Sequence, residues 1–343
     1  MDKIYLLSTY DKTELNAGPK AQMDVEFFLQ EKYNVKKIII PYSKNFSFFK
    51  KILMKIKKYI VSYYLSMKKN FVVIQYPFNS YYNFTKKIKN KILIIHDLNS
   101  LRFKKTNDIF LSKEEIEELK SSKFVICHND KMKEVLLRNG INERSIVVLG
   151  VFDYRAINIG ENAETIQEKI NVFYAGNLTN EKSPFVYQLD DKKLNFNLLL
   201  YGKGLENDIS KKIKYNGTFS PDDLSSIQGN LGLVWDGNYD ESDENEMFKN
   251  YTKFNNPHKL SCYLAKGMPV IVWKKAAVAD FVEKNNIGYV ISNIYDINSL
   301  NFGDYDEKKK NAEKIGEKIR RGYYIISSFD LIMKKINVKE VNK

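Results

Sequence analysis

Ile92-Leu93-Ile94-Ile95-His96-Asp97 is an unbroken apolar run that ends in two polar residues. A strand with one wet face alternates polar and apolar side chains. A continuous run marks a strand covered on both faces, as in parallel sheets. Runs of the same kind occupy residues 4–8, 37–41, 71–76, 124–128 and 145–149. Helical patterns fall between them at 20–32, 46–67, 82–88, 113–121 and 130–139. Strand–helix alternation of this sort predicts a doubly wound α/β sheet. Polar residues at the carboxyl end of a parallel strand face the ligand crevice. His96 and Asp97 are therefore candidates for a general base or for holding an acceptor hydroxyl, with Arg102 in the same loop. The plainer alternative is that Asp97 caps the segment that follows. His128, also at a strand end, reads as structural.

The pattern restarts after a polar, small-residue stretch at 158–164. Strands are predicted at 171–175, 197–201, 213–215, 231–235, 269–273 and 288–291, and helices at 221–228, 258–266, 276–285 and 306–327. Two Rossmann-like doubly wound domains facing across a cleft follow from this, the first at 1–160 and the second at 161–320. The chain has 343 residues, with 43% hydrophobic and 28% charged, which suits two ordinary domains rather than a disordered polymer.

No apolar run reaches the ~20 residues that span a bilayer. The residues after Met1 lack a basic stretch followed by a long apolar one, so no signal peptide is expected. The two cysteines, Cys127 and Cys262, sit in apolar surroundings and form no CxxC pair, so free thiols in a reducing, cytoplasmic compartment are expected and a zinc site is not. The net charge of +13 calls for an anionic partner: nucleic acid, lipid headgroups or a phosphate-bearing small molecule. Nucleic acid is disfavoured, because the lysines cluster on one segment and no recognition motif is present.

That segment is 44–69, with Lys44, Lys50, Lys51, Lys55, Lys57, Lys58, Lys68 and Lys69 and no acidic residue. Phe49, Ile52, Leu53, Ile56, Ile60 and Tyr63 share one helical face, with Phe46, Phe48, Tyr59 and Tyr64 beside it. A basic amphipathic helix rich in aromatics suits an anionic membrane surface. The alternative is that its apolar face packs on the domain's own sheet. Membrane docking would make the protein peripheral on the inner face of the plasma membrane.

Four other segments carry chemistry. In Tyr251-Thr252-Lys253-Phe254-Asn255-Asn256-Pro257-His258-Lys259, Asn256 reads as a helix cap and Pro257 as the first helical residue. A helix N-terminus favours phosphate, Lys259 adds charge in its first turn, and Asn255 and His258 add donors. An ordinary capped helix with a solvated lysine is the alternative. A second helix start is placed at 276–280, bringing in Ala277. Gly176-Asn177 and Tyr201-Gly202 end two strands, where glycine admits a ligand or makes a tight turn, and where Tyr201 stacks on a base or fills the core. Trp235-Asp236 opens an acidic stretch that reads as a mobile loop with solvated carboxylates. Gly18-Pro19-Lys20 begins a helix after the first strand, without the GxGxxG spacing of a dinucleotide site.

His96-Asp97, Ile126-Cys127-His128-Asn129, Phe152-Asp153-Tyr154, Tyr174-Ala175-Gly176-Asn177-Leu178, Gly232 to Gly237 and Phe254-Asn255-Asn256-Pro257-His258-Lys259 occur in an order that resembles bacterial galactofuranosyltransferases of O-antigen and capsule assembly. A more distant similarity is to streptococcal glucosyltransferases that extend glycans on serine-rich adhesins. The resemblance implies a GT-B fold, a UDP-sugar donor held by the second domain, no cofactor and no essential metal. It further implies a C-terminal segment, 321–343, that crosses back onto the first domain. It assigns Asn255, Asn256 and Lys259 to the diphosphate and sugar, and Gly176 and Asn177 to the donor side. The glucosyltransferase branch has an arginine soon after its Gly-Asn; here Asn180-Glu181-Lys182 stands instead, and Lys182 cannot form a bidentate fork.

The resulting expectation is transfer of a hexosyl unit, galactofuranosyl in the first instance, to a glycan acceptor that a lipid could carry. The alternatives are a UDP-glucose-dependent glucosyltransferase acting on a protein-linked glycan and a non-catalytic nucleotide-sugar-binding subunit. A homo-oligomer is compatible with each.

Overall fold

The computed structural model describes residues 3–8, 17–40, 47–67, 70–78, 85, 87–103, 108–161, 166, 169–206, 209–210, 212–242 and 246–341, the side chains of 17, 18, 50, 51 and 337–341 excepted. The expected helix at 82–88 and Lys44, Lys68 and Lys69 fall wholly or partly outside these residues. The chain divides into two units: Met1–Leu101 with Ile109–Leu149 and Ile325–Lys343, and Arg102–Asp108 with Gly150–Tyr324.

The first unit holds β1 (Lys3–Ser8), β2 (Lys36–Ile39), β3 (Asn70–Tyr76), β4 (Lys91–Ile95), β5 (Phe124–Cys127) and β6 (Ile146–Val148). They form one sheet in the order β2-β1-β3-β4-β5-β6, with every pairing parallel. Val72, Val73 and Ile74 of β3 and Ile92 to Ile95 of β4 are fully buried. Each such side chain contributes about 1.5–3 kcal/mol relative to exposure. The helices that cover the sheet start where short polar side chains cap them. Ser112 accepts from Glu115 N at 3.2 Å and Asn129 from Met132 N at 2.9 Å. Lys91, buried in β4, pairs with Glu118 at 2.8 Å.

The second unit holds β7 (Asn171–Asn177), β8 (Asn197–Lys203), β9 (Ile213–Tyr215), β10 (Leu231–Val234), β11 (Val270–Trp273) and β12 (Gly288–Ile291). Its sheet runs β12-β11-β10-β7-β8-β9, again all parallel. Both sheets are doubly wound and Rossmann-like, as the continuous apolar runs predict.

Three features differ from the sequence reading. Residues 221–228 form turns, not a helix. Their backbone is diverted to residues 157–158: Ile157 N donates to Asp222 O at 2.7 Å and Leu224 N to Asn158 O at 2.7 Å. The helical pattern at 306–327 is two helices, Tyr305–Arg320 and Tyr323–Val341. Gly322 breaks it with φ +72°, and Asp153 Oδ1 accepts Tyr324 N at the new start. Finally, the units divide at Leu149/Gly150 and Tyr324/Ile325 rather than at 160/161 and 320/321. Val151 and Tyr154 belong to the second core, and the Tyr154 hydroxyl donates to Pro221 O at 2.7 Å.

His128 is buried in the first unit, and its Nε2 donates to Ile95 O at 2.9 Å. Burial pushes its pKa down to about 4, against the upward pull of that bond. An unfolded histidine titrates near 6.5, so between the two values the unfolded chain binds more protons. The neutral-ring stabilisation is complete above about pH 6.5 and is lost as pH falls towards about 4. Denaturant melts across this window should show a fall of up to about 3 kcal/mol. His128→Gln, which keeps a donor for Ile95 O, should flatten the slope; equal slopes in both proteins would refute the assignment.

Candidate functional site

In the second sheet the strand order reverses between β7 and β10. Parallel α/β sheets bind ligands outside the carboxyl ends of the strands at such a reversal. Tyr174 lies in β7, Trp235 and Asp236 follow β10, and the helix His258–Ala265 supplies Lys259. These residues meet. Lys259 Nζ donates to Asp236 Oδ1 at 2.8 Å, to Trp235 O at 2.7 Å and to the Tyr174 hydroxyl at 3.2 Å. It also sits 4.5 Å from the centre of the Tyr174 ring. An ammonium has three N–H donors, so each has a partner. Burial works to lower the Lys259 pKa, but the Asp236 carboxylate and Tyr174 outweigh it and the net direction is upward. The lysine stays charged.

Tyr174 continues the network. Its hydroxyl lies 2.7 Å from Ser183 Oγ, which donates to Asn177 O at 2.7 Å. Neither Tyr174 nor Ser183 stands out as a site residue in the sequence. The available signal was that Tyr174 is the one hydroxyl-bearing side chain in residues 171–175.

The start of the Lys259 helix differs from expectation. Pro257, at φ −63° and ψ 131°, is the cap position, and His258 is the first helical residue. Proline has no side-chain acceptor, and no side-chain cap is present among the described residues. Asn256 is turned inward instead, where its Nδ2 donates to Gly150 O at 2.8 Å. His258 stacks on Tyr154, with ring centres 4.9 Å apart. Asn255 Oδ1 and Ser261 Oγ are buried with no hydrogen-bond partner among the described residues. Such atoms cost about 1–3 kcal/mol each when left unmatched, and two of them at one helix start mark a place where a ligand could satisfy them.

The remaining second-unit candidates have structural partners. Gly202, at φ +143°, pairs with Gly176 across β7 and β8, and a Cβ there would come within 1.8 Å of Gly176 O. Tyr201 is buried with Phe173 and Phe219 and is core, not an exposed stacking platform. Asn177 Oδ1 accepts Thr179 N at 3.0 Å, which shapes its own turn. Ala277 N donates to Thr252 O at 2.9 Å, and the helix expected there begins later, at Ala279. Lys182 Nζ lies 5.6 Å over the Phe248 ring, and its carbonyl accepts Gly237 N beside Asp236.

The acidic stretch is anchored where it is described. Glu246 accepts Asn238 N at 2.8 and 2.9 Å, and Trp273 Nε1 donates to Glu241 at 2.8 Å. Lys249 donates to Asn238 O and Asp240 O and lies 4.5 Å over Trp235. Burial lowers the Lys249 pKa to about 8. Residues 243–245 lie outside the described set.

In the first unit, His96 Nε2 lies 2.7 Å from Gln75 Oε1. The Gln75 amide donates to Gln22 O at 3.1 Å and to Glu26 at 3.2 Å, and Glu26 pairs with Lys37 at 2.5 Å. This orients the amide so that its oxygen faces the imidazole. His96 Nε2 therefore carries the proton, and the basic nitrogen of the neutral ring is Nδ1. Asp97 is half-buried at the end of the same strand. Arg102 ends the short helix Asn99–Arg102, with its guanidinium 5.5 Å from the Phe103 ring. Lys20 is buried and paired with Asp24 one turn on, so its charge is already matched. Gly18 is the second residue of the helix Ala17–Tyr33, not part of a preceding turn.

Sucrose-phosphate synthase from Thermosynechococcus elongatus superposes with a TM-score of 0.62 at 11% identity, over 98% of this chain and 100% of that one. Anabaena HepE in complex with UDP and glucose gives 0.56 at 10% identity, over 98% and 100%. The fold is that of a GT-B glycosyltransferase. Family models described as the N- and C-terminal domains of glucosyltransferase 3-like proteins match residues 3–151 and 172–330. The β-1,6-galactofuranosyltransferase WbbI of Escherichia coli (strain K12) is 33% identical over 238 residues, 67% of each chain. Glucosyltransferase 3 of Streptococcus gordonii is 25% identical over 239 residues, 68% of this chain and 67% of its own. The chain belongs to the glucosyltransferase 3-like family and is a glycosyltransferase.

An anion that reaches Lys259 must compete with Asp236 for the ammonium. Asp236→Asn should therefore tighten pyrophosphate binding by about threefold or more, and Lys259→Met should weaken it by about tenfold. Each change should also lower stability, on the order of 3 kcal/mol, because a partly buried charge loses its partner. Calorimetric titration reads the first effect and thermal melts the second. Loss of stability with unchanged pyrophosphate affinity in both variants would make the pair structural only.

Proposed function

We propose that this glycosyltransferase uses a UDP-sugar and moves its hexosyl unit, with UDP-galactofuranose as the first candidate, to a glycan acceptor in cell-surface polysaccharide synthesis of the O-antigen or capsule type. The observation that carries the reading is the Lys259–Asp236–Tyr174 cluster at the strand-order reversal of the second unit, beside an uncapped helix start. The 33% identity to the E. coli galactofuranosyltransferase supports the choice of sugar. The UDP held by Anabaena HepE and the 25% identity to the S. gordonii glucosyltransferase keep UDP-glucose as the second candidate.

The roles follow from the chemistry of each group. Charge builds on the diphosphate as the glycosidic bond breaks. Lys259 and the helix N–H groups oppose that charge from fixed positions. Asn255 Oδ1 is an acceptor and suits a sugar hydroxyl rather than a phosphate oxygen. The acceptor hydroxyl loses its proton to the His96–Asp97 pair, either at the Asp97 carboxylate or at His96 Nδ1. Leaving-group charge is met by protein cations in this scheme, so we take the reaction to be metal-independent. A single displacement of this kind inverts the anomeric carbon.

A thermal-shift screen with UDP-galactofuranose, UDP-galactopyranose, UDP-glucose and UDP-N-acetylglucosamine tests the donor, since a ligand that binds only the folded state raises its melting point. The largest shift is expected with UDP-galactofuranose. Transfer with that donor should survive EDTA, and NMR of the product should show the inverted anomer. Replacing the true base, by His96→Ala or Asp97→Asn, should cut kcat by about 100-fold or more and leave UDP affinity intact. Binding of UDP without sugar consumption would instead support a non-catalytic subunit.

A further inference from the structure

The helix Phe48–Leu65 meets its own unit along a narrow seam. Ser62 and Leu65 are buried, and Met54, Lys58 and Val61 are half-buried. The spacing 54, 58, 61, 62, 65 is that of one helical face. The more apolar face is not this one. Phe49, Ile52, Leu53, Ile56, Ile60 and Tyr63 are between 40% and 78% exposed. Phe48, Tyr59 and Tyr64 lie at its margins, also exposed. At about 100° per residue these six positions centre on the side of the helix opposite the seam. Lys57 falls on one edge of the exposed face and Lys55 on the other, both exposed. Scattered exposed apolar residues are ordinary, but a continuous apolar strip along an 18-residue helix is an interaction surface.

Charge decides what covers it. Residues 44–69 contain eight lysines and no acidic residue, so a second copy of the same face would bring like charges together. An anionic lipid surface matches both properties, since its headgroups meet the lysines and its acyl boundary takes the apolar strip. Tyr59 at the margin and Tyr63 on the face suit the same boundary, with an apolar ring and a polar tip, whereas the Tyr64 hydroxyl is held 2.6 Å from that of the buried Tyr5. Among the described residues no helix is long and apolar enough to cross a membrane, so the geometry is that of a helix lying in the interface.

We propose that the Phe48–Leu65 helix docks flat on an anionic lipid surface, with the strip from Phe49 to Tyr63 in the headgroup–acyl boundary and Lys55 and Lys57 on the headgroups. Docking then places the first unit at the membrane, where a lipid-linked glycan acceptor would be presented. The inference does not depend on which sugar is transferred, or on the donor site.

Co-sedimentation of the full chain with vesicles tests it. Binding to phosphatidylcholine vesicles containing about a third phosphatidylglycerol should exceed binding to phosphatidylcholine alone by tenfold or more, and should weaken with salt. Lys55→Ala should lower partitioning about fivefold. The double variant Ile56→Glu/Ile60→Glu changes exposed residues only. It should keep its circular dichroism spectrum and its UDP affinity and lose anionic-vesicle binding by more than about tenfold. No preference for anionic vesicles in the wild type, or equal binding by the double variant, would overturn the proposal. So would a wild-type dimer that the double variant dissociates without any vesicle binding in either.

Discussion

A parallel strand buried on both faces admits a polar side chain only where a partner is built for it, as for Lys91 and Gln75, so polar groups collect towards its ends. The constraint acts on both sheets. In the first, β4 is aliphatic from Ile92 to Ile95, and His96 and Asp97 follow at once. In the second, β10 ends at Val234, and Trp235 and Asp236 follow. Because every strand in a sheet points the same way, these polar ends gather along one edge. The strand-order reversal then opens that edge at one place. Chemistry is placed by the sheet before any individual residue is chosen.

What the edge receives depends on how each buried charge is matched. Three lysines show the range. Lys91 meets Glu118, yet burial dominates and its pKa moves down. Lys249 meets mainly backbone carbonyls and indole faces, and its pKa falls to about 8. Lys259 is the one of the three whose pKa moves up, because a carboxylate outweighs its burial. Lys249 acts as a fastener that holds the chain after Asp236. Lys259, at the strand-order reversal, keeps a full charge, and among the described residues its carboxylate partner is Asp236. That difference, more than the presence of a lysine, separates the candidate anion site from a structural cation.

The same reasoning explains which features were legible in the sequence. All twelve strands of the described residues could be located, most of them because a strand covered on both faces is apolar along most of its length and so leaves a local signature; the edge strands Lys36–Ile39 and Ile213–Tyr215 carry exposed lysines and were marked by their isoleucines and tyrosine. Lys259 and Asp236 could be singled out for a similar reason: one lies in the first turn of a helix and the other beyond a buried strand. Their pairing could not, since it depends on two segments 23 positions apart meeting through side chains. Non-local hydrogen bonds account for most differences. The turns at 221–228 exist because residues 157 and 158 take the backbone bonds a helix would use. Asn256 points at Gly150 rather than capping. The apparent acidic loop is held by Lys249, Glu246 and Trp273. Hydropathy likewise cannot separate a core tyrosine such as Tyr201 from a stacking platform, because both need an aromatic ring beside a strand end.

The helix Phe48–Leu65 shows the sharpest limit of periodicity. A hydropathy pattern says that one face is apolar; it does not say that this face is the one that packs inward. Here the inward seam includes Lys58 and Ser62, while the outward face carries Phe49, Leu53, Ile56 and Ile60. Water alone would not favour that arrangement, since turning the apolar strip inward would remove it from solvent and stabilise the helix at about 25 cal/mol per Å². The orientation is understandable if the outward face meets a second non-aqueous phase. The lysine stem at position 58 can lie along the sheet because its length lets the ammonium reach past the apolar contact. The seam needs only enough burial to hold the helix on the unit, and Ser62 and Leu65 at its carboxyl end provide that. The strip from Phe49 to Tyr63 is thereby left exposed as the part that a lipid surface can take up.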